Sequence, residues 1–370
     1  HVRLAADKVL NPTGYGCADS GTPVDLLVPD GADGFTGLFV RHADHNPGSE
    51  MKARGLTVIW DFSANSGITK DTKVEIRAVG MRMIYVPRGP FYVGSGGLEL
   101  FGLYQYTDGK QDFVPYRVAS SNGIPTGKKP GQLWARGGEP PDGGEIPATF
   151  PMGYGAFYCM SDPVAPCEYA IFLNTLPAAE AEKRFFDDPP LAEGKGYVSR
   201  QGEGTNVTYV GGYRAKSHGL WNMCWADAAA FAAWAGLRPM TELEFEKAMR
   251  GFREPTPREQ GYSFWGMNFG GGVYNSHPRL LVVTVGNTNS VLTYKGSHGL
   301  GSTVLPADWP RDDAVGIMVR GGQGATGVEP SYFCTSDRHG VNMDAERRPG
   351  TGVRLVRTAP IEADGQPSGD

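Results

Sequence analysis

The chain has 370 residues, enough for one large domain or two ordinary ones, and its 53 glycines and 28 prolines predict many turns rather than a helical bundle. Its net charge of −5 is mixed along the chain without a basic stripe, which disfavours binding to nucleic acid phosphates. No apolar run approaches the about 20 residues that span a membrane, so membrane insertion is not expected.

The first part of the chain is predicted to be β structure. Residues 1–80 contain short runs rich in Val, Ile, Phe and Trp, separated by polar turns. These runs are GLFVRHA (37–43), GLTVIWDF (55–62) and TKVEIRAV (72–79). They predict a small sandwich-like module. The chain begins at His1 without a methionine, so either the terminus is processed or the sequence starts inside a longer protein.

The middle of the chain is predicted to alternate long loops with a few helices. MRMIYV (81–86) is a further strand, and residues 87–155 are expected to form an elaborated, loop-dominated surface. CEYAIFLNTL (167–176) has helical spacing of its apolar residues. From 252 onward the sequence predicts few strands, and residues 359–370 are expected to be a flexible tail.

Two helices separated by a short non-helical break are predicted between Trp221 and Gly251. Asp227 can cap the first helix, and Gly236 ends it. Thr241 and Glu244 form the T-x-x-E capping box of the second helix, which Gly251 closes. By composition and spacing alone, this segment is a helical hairpin packed on a core.

Cysteine usage excludes common metal and redox motifs. The chain has five cysteines (Cys17, Cys159, Cys167, Cys224 and Cys334) and no C-x-x-C pair, so a zinc ribbon or thioredoxin-like motif is excluded. An odd count leaves at least one thiol outside any disulfide. Cys159 and Cys167 either pair across a loop or remain thiols.

Several segments, in order, resemble the formylglycine-generating-enzyme-like (sulfatase-modifying factor) superfamily. The segments are MRMIYVPRGPFYVGSGG (81–97), CEYAIFLNTLP (167–177), GLRPMTELEFEKAMRG (236–251), SFWGM (263–267), and VRGGQG (319–324) with TSDR (335–338) and GVRLVR (352–357). The resemblance covers about residues 81–358. It implies an α+β domain of the C-type-lectin-like fold, with a small twisted sheet, two flanking helices and long ordered loops, behind the β-rich module 1–80.

One branch of this superfamily is enzymatic. The resemblance implies that a formylglycine-generating oxidase would hold copper between two cysteine thiolates five residues apart, as a Cu(I) site requires. Cys334 has Glu329 five residues before it and His339 five residues after it, so the pair is missing. The segment 272–287 also lacks the family's Gly-Asn-x-Trp-Glu, and no H-x3-H-x-E supports the iron site of the related sulfoxide synthases.

Another branch contains the variable proteins of diversity-generating retroelements. In these proteins, adenine mutagenesis turns AAY codons into fifteen residue types, and Lys, Gln, Glu, Met and Trp are not reachable. Residues 339–351 lie between the TSDR and GVR anchors, and all except Met343 and Glu346 are of reachable types. An ordinary surface loop would also consist mostly of reachable types, because fifteen of the twenty residue types are reachable.

The resemblance therefore predicts a non-enzymatic display protein that binds a macromolecular partner, either a protein or a cell-surface molecule. Tyr332 is the expected aromatic anchor, with His339 and Arg348 as polar contacts. The complete predicted surface is Ala325, Thr326, Val328, Glu329, Ser331, Tyr332, His339, Val341, Asn342, Asp344, Arg348, Pro349 and Thr351. A virion or cell surface is the expected location. Two alternatives remain open, an inactive accessory protein and a formylglycine-generating-type oxidase.

Other candidate chemistry favours structural roles. Glu242, Glu244 and Glu246 lie on different helix faces and favour the helix dipole rather than a catalytic carboxylate cluster. Arg320, Arg338 and Arg354 are expected to pair inside the closing strands. Glu329-Pro330-Ser331 lacks the Asn of the lectin calcium motif Glu-Pro-Asn, and His298 is expected to face solvent. No cofactor is predicted, although DGKQD (108–112) and DWPRDD (308–313) leave a structural calcium or magnesium ion open.

Overall fold

The computed structural model describes most of the chain between residues 67 and 359 and short strands before it. The described residues are 2–4, 8–10, 14–16, 20–21, 24–27, 39–43, 52–54, 56–59, 67–74, 79–99, 101–109, 113–186, 198–212, 222–259, 265, 279–285, 292–311, 315–321, 334–339, 347 and 351–359. The predicted tail lies outside them, except for Ala359.

The N-terminal region is β structure, as predicted. Its strands are β1 (Val2–Leu4), β2 (Lys8–Leu10), β3 (Gly14–Gly16), β4 (Ser20–Gly21), β5 (Val24–Leu27), β6 (Phe39–His42), β7 (Ala53–Arg54) and β8 (Thr57–Ile59). They pair antiparallel as β1–β2, β3–β8, β4–β7 and β5–β6. The Phe39 ring on β6 stacks on Tyr158 with 4.4 Å between ring centroids. The strand expected over 72–79 is not formed at 72–74, and 75–78 lie outside the described residues.

Residues 87–155 are dominated by loops, as predicted, with six short strands among those that the structure describes. They contain β10 (Phe91–Val93), β11 (Leu103–Gln105), β12 (Tyr116–Val118), β13 (Ile124–Thr126), β14 (Leu133–Ala135) and β15 (Gly144–Ile146). Strands β10 and β12 pair, and the others form a four-stranded sheet in the order β11-β14-β13-β15. Each strand has only three residues, too few to show a clear alternating pattern in the sequence, so none of them was predicted individually.

The central sheet brings distant segments of the chain together. Its order is β19-β23-β16-β9, with β9 (Met83–Val86), β16 (Phe157–Met160), β19 (Arg238–Pro239) and β23 (Leu355–Thr358). The strand predicted at 81–86 is thus confirmed. A second sheet has the order β21-β20-β22, formed by β20 (Arg279–Val283), β21 (Ile317–Arg320) and β22 (Thr351–Gly352). Strands β17 (Val198–Gln201) and β18 (Thr208–Gly211) form a separate hairpin.

Four α-helices lie among the described residues. They are α1 (Pro166–Leu173), α2 (Ala178–Arg184), α3 (Trp225–Ala235) and α4 (Glu242–Arg250). The helix expected near 167–176 is confirmed. So is the end of α3 at Gly236, which adopts a left-handed φ of 68° that favours glycine. The cap prediction for Asp227 was wrong, because Cys224 is the N-cap residue and Asp227 lies in the first turn.

The predicted hairpin contains a strand between its two helices. Strand β19 separates α3 from α4 and pairs with β23. Helix α3 is almost completely buried and carries seven alanines, six of them buried, so neighbouring backbone can approach it closely. Its Phe231 and Trp234 rings pack together with Phe172 of α1 at centroid distances of 5.4 Å. This aromatic cluster is part of the main hydrophobic core.

Candidate functional site

Helix α4 is the centre of a buried ionic network. Thr241 caps it through the predicted capping box, accepting a hydrogen bond from the Glu244 amide at 3.2 Å while Glu244 Oε2 accepts one from the Thr241 amide at 3.0 Å. The Glu244 carboxylate also pairs bidentately with Arg238, at 2.8 and 2.5 Å. Both side chains are at most 2% exposed. Bidentate pairing of this kind fixes both side chains in one geometry.

The other two acids of α4 hold the closing part of the chain. Glu246 accepts hydrogen bonds from Arg320 Nη2 at 3.0 Å and from Arg250 Nη1 at 3.2 Å. Glu242 pairs with Arg338, with 3.3 Å between Arg338 Nη2 and Glu242 Oε2. Burial acts to raise the pKa of Glu246, but the Arg320 and Arg250 charges outweigh burial and hold that pKa below its usual value.

The structural roles predicted for the arginines and glutamates are confirmed. The expectation that the three acids lie on different helix faces was wrong for Glu242 and Glu246, which are four residues apart and both lie beside Arg320, at 3.6 and 3.0 Å. Glu242, Glu244 and Glu246 are all buried, and each has a guanidinium partner. Their pairing with arginines, more than the helix dipole, accounts for their positions. Arg354, also buried, donates to the Met160 and Ser161 carbonyl oxygens at 3.2 and 3.1 Å.

Lys247 is buried beside this network. Its Nζ donates to the carbonyl oxygen of Gly153 at 2.6 Å and lies 5.5 Å from the Phe91 and Phe252 ring centroids. Burial lowers the pKa of Lys247 to about 7, against the opposing attraction of Glu244. Nothing in the sequence pattern distinguishes this lysine from an exposed one in the last turn of a helix.

The segment 334–339 follows the network and begins with Cys334. This residue is 4% exposed. Burial raises the pKa of the Cys334 thiol to about 12, and the nearby Glu99 and Asp337 charges add to the rise. A Cu(I) site needs ionised thiolates, and the residue five positions earlier is Glu329. This donor set does not fit the copper of the oxidases.

His339, a predicted contact residue, is held by its own segment. Its backbone N–H donates to Asp337 Oδ1 at 3.0 Å, and its Nδ1 lies 2.5 Å from the same oxygen. The His339 side chain is only 18% exposed. Its ring orientation is therefore fixed by a buried carboxylate, so a substitution at 339 also changes the scaffold.

Thr351 does not belong to an exposed surface. It lies in β22 and is 2% exposed, and its carbonyl oxygen accepts the Asn222 and Met223 amides at 2.9 Å. The expectation that Thr351 contacts a ligand is corrected by this burial, which follows from parallel pairing of β22 with β20. No local pattern distinguished this strand from the run before it.

Arg347 also lies within the predicted variable run and is anchored. Its Nη2 pairs with Asp227 at 2.5 Å, and Nη1 donates to the Asn222 carbonyl oxygen at 2.9 Å. Its guanidinium lies 4.2 Å from the Phe186 ring centroid. The Asp227 side chain, on the first turn of α3, is 3% exposed, so this ion pair fixes Arg347 to the scaffold.

The rest of the predicted surface lies outside the described residues. These positions are Ala325, Thr326, Val328, Glu329, Ser331, Tyr332, Val341, Asn342, Asp344, Arg348 and Pro349. Their roles stay predictions.

The described part of the chain contains no group of three or more His, Cys, Asp or Glu side chains placed to hold a metal ion. In DWPRDD, Asp308 Oδ2 instead accepts the Lys295 amide at 2.9 Å, while 312–313 lie outside the described residues, as do 110–112 of DGKQD. His298 is partly exposed, in line with its expected solvent-facing position, and its Nε2 accepts the Thr358 amide at 3.1 Å. No disulfide joins Cys159 to Cys167.

A family model for the sulfatase-modifying factor enzyme 1-like domain matches residues 72–359. The chain belongs to this family. The match begins and ends within ten residues of the resemblance recognised over 81–358, and it includes the central sheet, α1–α4 and the segment 334–339. No curated protein matches the chain.

The match identifies the domain that this chain shares with the sulfatase-modifying factor family. One fold can serve several functions, so the site rather than the fold must decide the function. Among the described helices of this member, none combines the length and apolarity needed to cross a membrane.

Proposed function

We propose that this sulfatase-modifying factor family member is a non-enzymatic display protein with a C-type-lectin-like scaffold. It binds a macromolecular partner, a protein or a cell-surface molecule, through loops next to the segment 334–339. It is the variable protein of a diversity-generating retroelement and is carried on a virion or a cell surface. The observation that carries the proposal is the state of Cys334, which is buried, high in pKa and without a second thiol five residues away.

The scaffold supports this function because its anchors are held by residues outside the proposed contact surface. Arg320 and Arg338 are held by α4, and Arg347 is held by Asp227. Side chains between such anchors can vary while the ion pairs keep the domain folded, as loops do on other rigid scaffolds. The proposed contacts are therefore the following residues: Ala325, Thr326, Val328, Glu329, Ser331, Tyr332, Val341, Asn342, Asp344, Arg348 and Pro349.

A library tests the display capacity without knowledge of the natural partner. Asn342, Asp344 and Arg348 are randomised, and the library is selected against an unrelated purified protein such as hen lysozyme. Specific binders with a Tm near the wild-type value are expected. A matched library at the anchors Arg338 and Glu242 should contain few folded members. If the first library loses folding as widely as the second, ligand display through this surface is wrong.

The coding DNA distinguishes the retroelement origin from the accessory alternative. A neighbouring reverse transcriptase gene and a template repeat that differs from the 3′ coding region only at adenines are expected. An unvarying sequence at 339–351 among close relatives would instead favour an inactive accessory protein.

The oxidase alternative predicts tight Cu(I) binding and oxygen consumption with a cysteine-containing peptide. The expected result is neither, because a single buried thiol supplies too few soft ligands. Either activity in the purified wild-type protein, lost in Cys334→Ser, would overturn the non-enzymatic proposal.

A further inference from the structure

A polar cleft lies on the domain surface beside the turn that follows β10. Its volume is about 10 Å³, room for one water-sized group, and Ser95, Gly97, Glu99, Tyr104, Phe113 and Arg136 contribute to its walls. Ser95 and Glu99 are each 4% exposed, so they form its buried end. Arg136 is exposed and forms its rim. None of these residues belongs to the proposed display surface.

Glu99 differs from the other buried glutamates of the domain. Its Oε1 accepts the backbone N–H of Arg258 at 2.6 Å. Within the described residues no Arg, Lys or His forms an ion pair with it, whereas Glu242, Glu244 and Glu246 each pair with arginine. Among the described residues the Arg258 amide is the one hydrogen-bond donor to the Glu99 side chain, and a cation that reached the buried carboxylate would stabilise it.

The turn is shaped to accommodate this carboxylate. A Cβ atom at Gly97 would lie 2.3 Å from Glu99 Oε2, so only glycine allows the carboxylate to rest against the backbone here. The Gly97 amide donates to Ser95 Oγ at 3.1 Å, which leaves the Ser95 hydroxyl proton available to a ligand or to solvent.

The charge around the cleft is mixed. Glu99, Asp337 and Glu259 lie near Cys334, and so does Arg258, whose positive charge opposes theirs at that thiol. At the rim, the Arg136 guanidinium lies 4.9 Å from the Phe113 ring centroid. Because Arg136 repels every cation, and one with several charges most strongly, a singly charged group is best suited to reach Glu99.

We infer that this cleft binds a primary ammonium group, which pairs with Glu99 Oε2. A guanidinium fits less well, because its planar group is larger than the water-sized space beside Glu99. A divalent metal ion fits less well, because calcium takes six or more oxygen ligands and the cleft offers one carboxylate. The ammonium group belongs either to a free small amine or to a lysine side chain of a partner protein.

Titration calorimetry with two matched probes tests the inference. Nα-acetyl-lysine methylamide carries the ammonium group on a peptide-like side chain, and Nα-acetyl-norleucine methylamide has an uncharged chain. The wild-type protein is expected to bind the lysine probe saturably and the norleucine probe not at all. Methylammonium chloride represents a free amine, and tighter binding of one probe than the other identifies the source. Spermidine should bind no more tightly than the lysine probe.

Glu99→Gln is expected to weaken binding of the lysine probe by about 10- to 100-fold, the range for losing a hydrogen bond to a charged group. Glu139→Gln, an exposed acid three residues beyond Arg136, is the control and should leave the affinity within about twofold because exposed charges are screened.

If Glu99→Gln does not fold, Gly97→Ala takes its place, since the added methyl displaces the carboxylate. Equal binding of the norleucine probe, no binding of either amine, or full binding by a folded Glu99 or Gly97 variant would overturn the inference. None of these results bears on the display proposal.

Discussion

Glu246→Gln tests whether the buried network on α4 stabilises the domain. Glu246 is 0% exposed and accepts hydrogen bonds from Arg320, Arg250, the Gly94 amide at 2.7 Å and Ser336 Oγ at 3.2 Å. Glutamine keeps the shape of the side chain but removes the negative charge that two buried guanidinium groups share. The variant therefore tests the charge rather than the packing.

The expected loss in the free energy of unfolding is about 3–5 kcal/mol, because removing one partner leaves a buried charge without full compensation. The value should lie toward the lower end, since Arg250 also pairs with Glu259, and Arg320 lies 3.6 Å from Glu242. For an unfolding unit of about 290 residues, this loss corresponds to a fall in Tm of about 5–8 °C.

Urea unfolding at pH 7, followed by tryptophan fluorescence and by circular dichroism, measures the effect. The matched control is Glu180→Gln on α2. Glu180 forms the same i,i+4 pair with Arg184, at 3.5 Å, but its side chain is 43% exposed. The control should lose no more than about 0.5 kcal/mol. Losses of equal size in the two variants would refute the reasoning that burial makes the α4 pairs important.

Three further predictions concern single residues of the described domain. Gly236→Ala should lower the free energy of unfolding by about 1–2 kcal/mol because its φ of 68° is left-handed, and an unchanged urea midpoint would contradict this. Lys247 has a folded-state pKa of about 7, below its ordinary value. Above pH 7 the unfolded state therefore binds more protons than the folded state, so the free energy of unfolding of the wild-type protein should rise as the pH rises above 7. Lys247→Met should lack that contribution, and a wild-type minus variant difference that stays constant from pH 7 to 9 would disprove it. Iodoacetamide at pH 8 should label Cys159 and Cys334 only after unfolding, because both thiols are buried and have pKa values of about 12. Mass spectrometry measures the labelling, and rapid labelling of either thiol in the native protein would count against its burial.

Local signals in the sequence predicted the helical pair well. The Thr241–Glu244 capping box and the glycine that ends α3 act within one turn of the chain, so their residue types suffice to identify them. The same signals failed at Asp227. Its carboxylate is positioned by Arg347, 120 residues away, and not by the amides of its own helix.

The candidate site was less predictable, because its side chains are explained by partners from distant segments. Thr351 appeared to belong to a variable loop until its pairing with β20 was known. The Gly-rich turn at 94–97 was recognised as part of the family resemblance. Its proximity to Glu99 and Arg136 was not predicted, since no periodic pattern relates them.

The sequence by itself determined the family, the helix boundaries around α3 and α4, and the absence of a second cysteine five residues before Cys334. The tertiary structure alone decided that every face of α4 is buried and that its acids bind Arg320 and Arg338, which follow 74 and 96 residues later. The physical reason is the range of the interactions. Caps and turns depend on neighbouring residues, whereas buried charges are stable only beside opposite charges that folding brings to them.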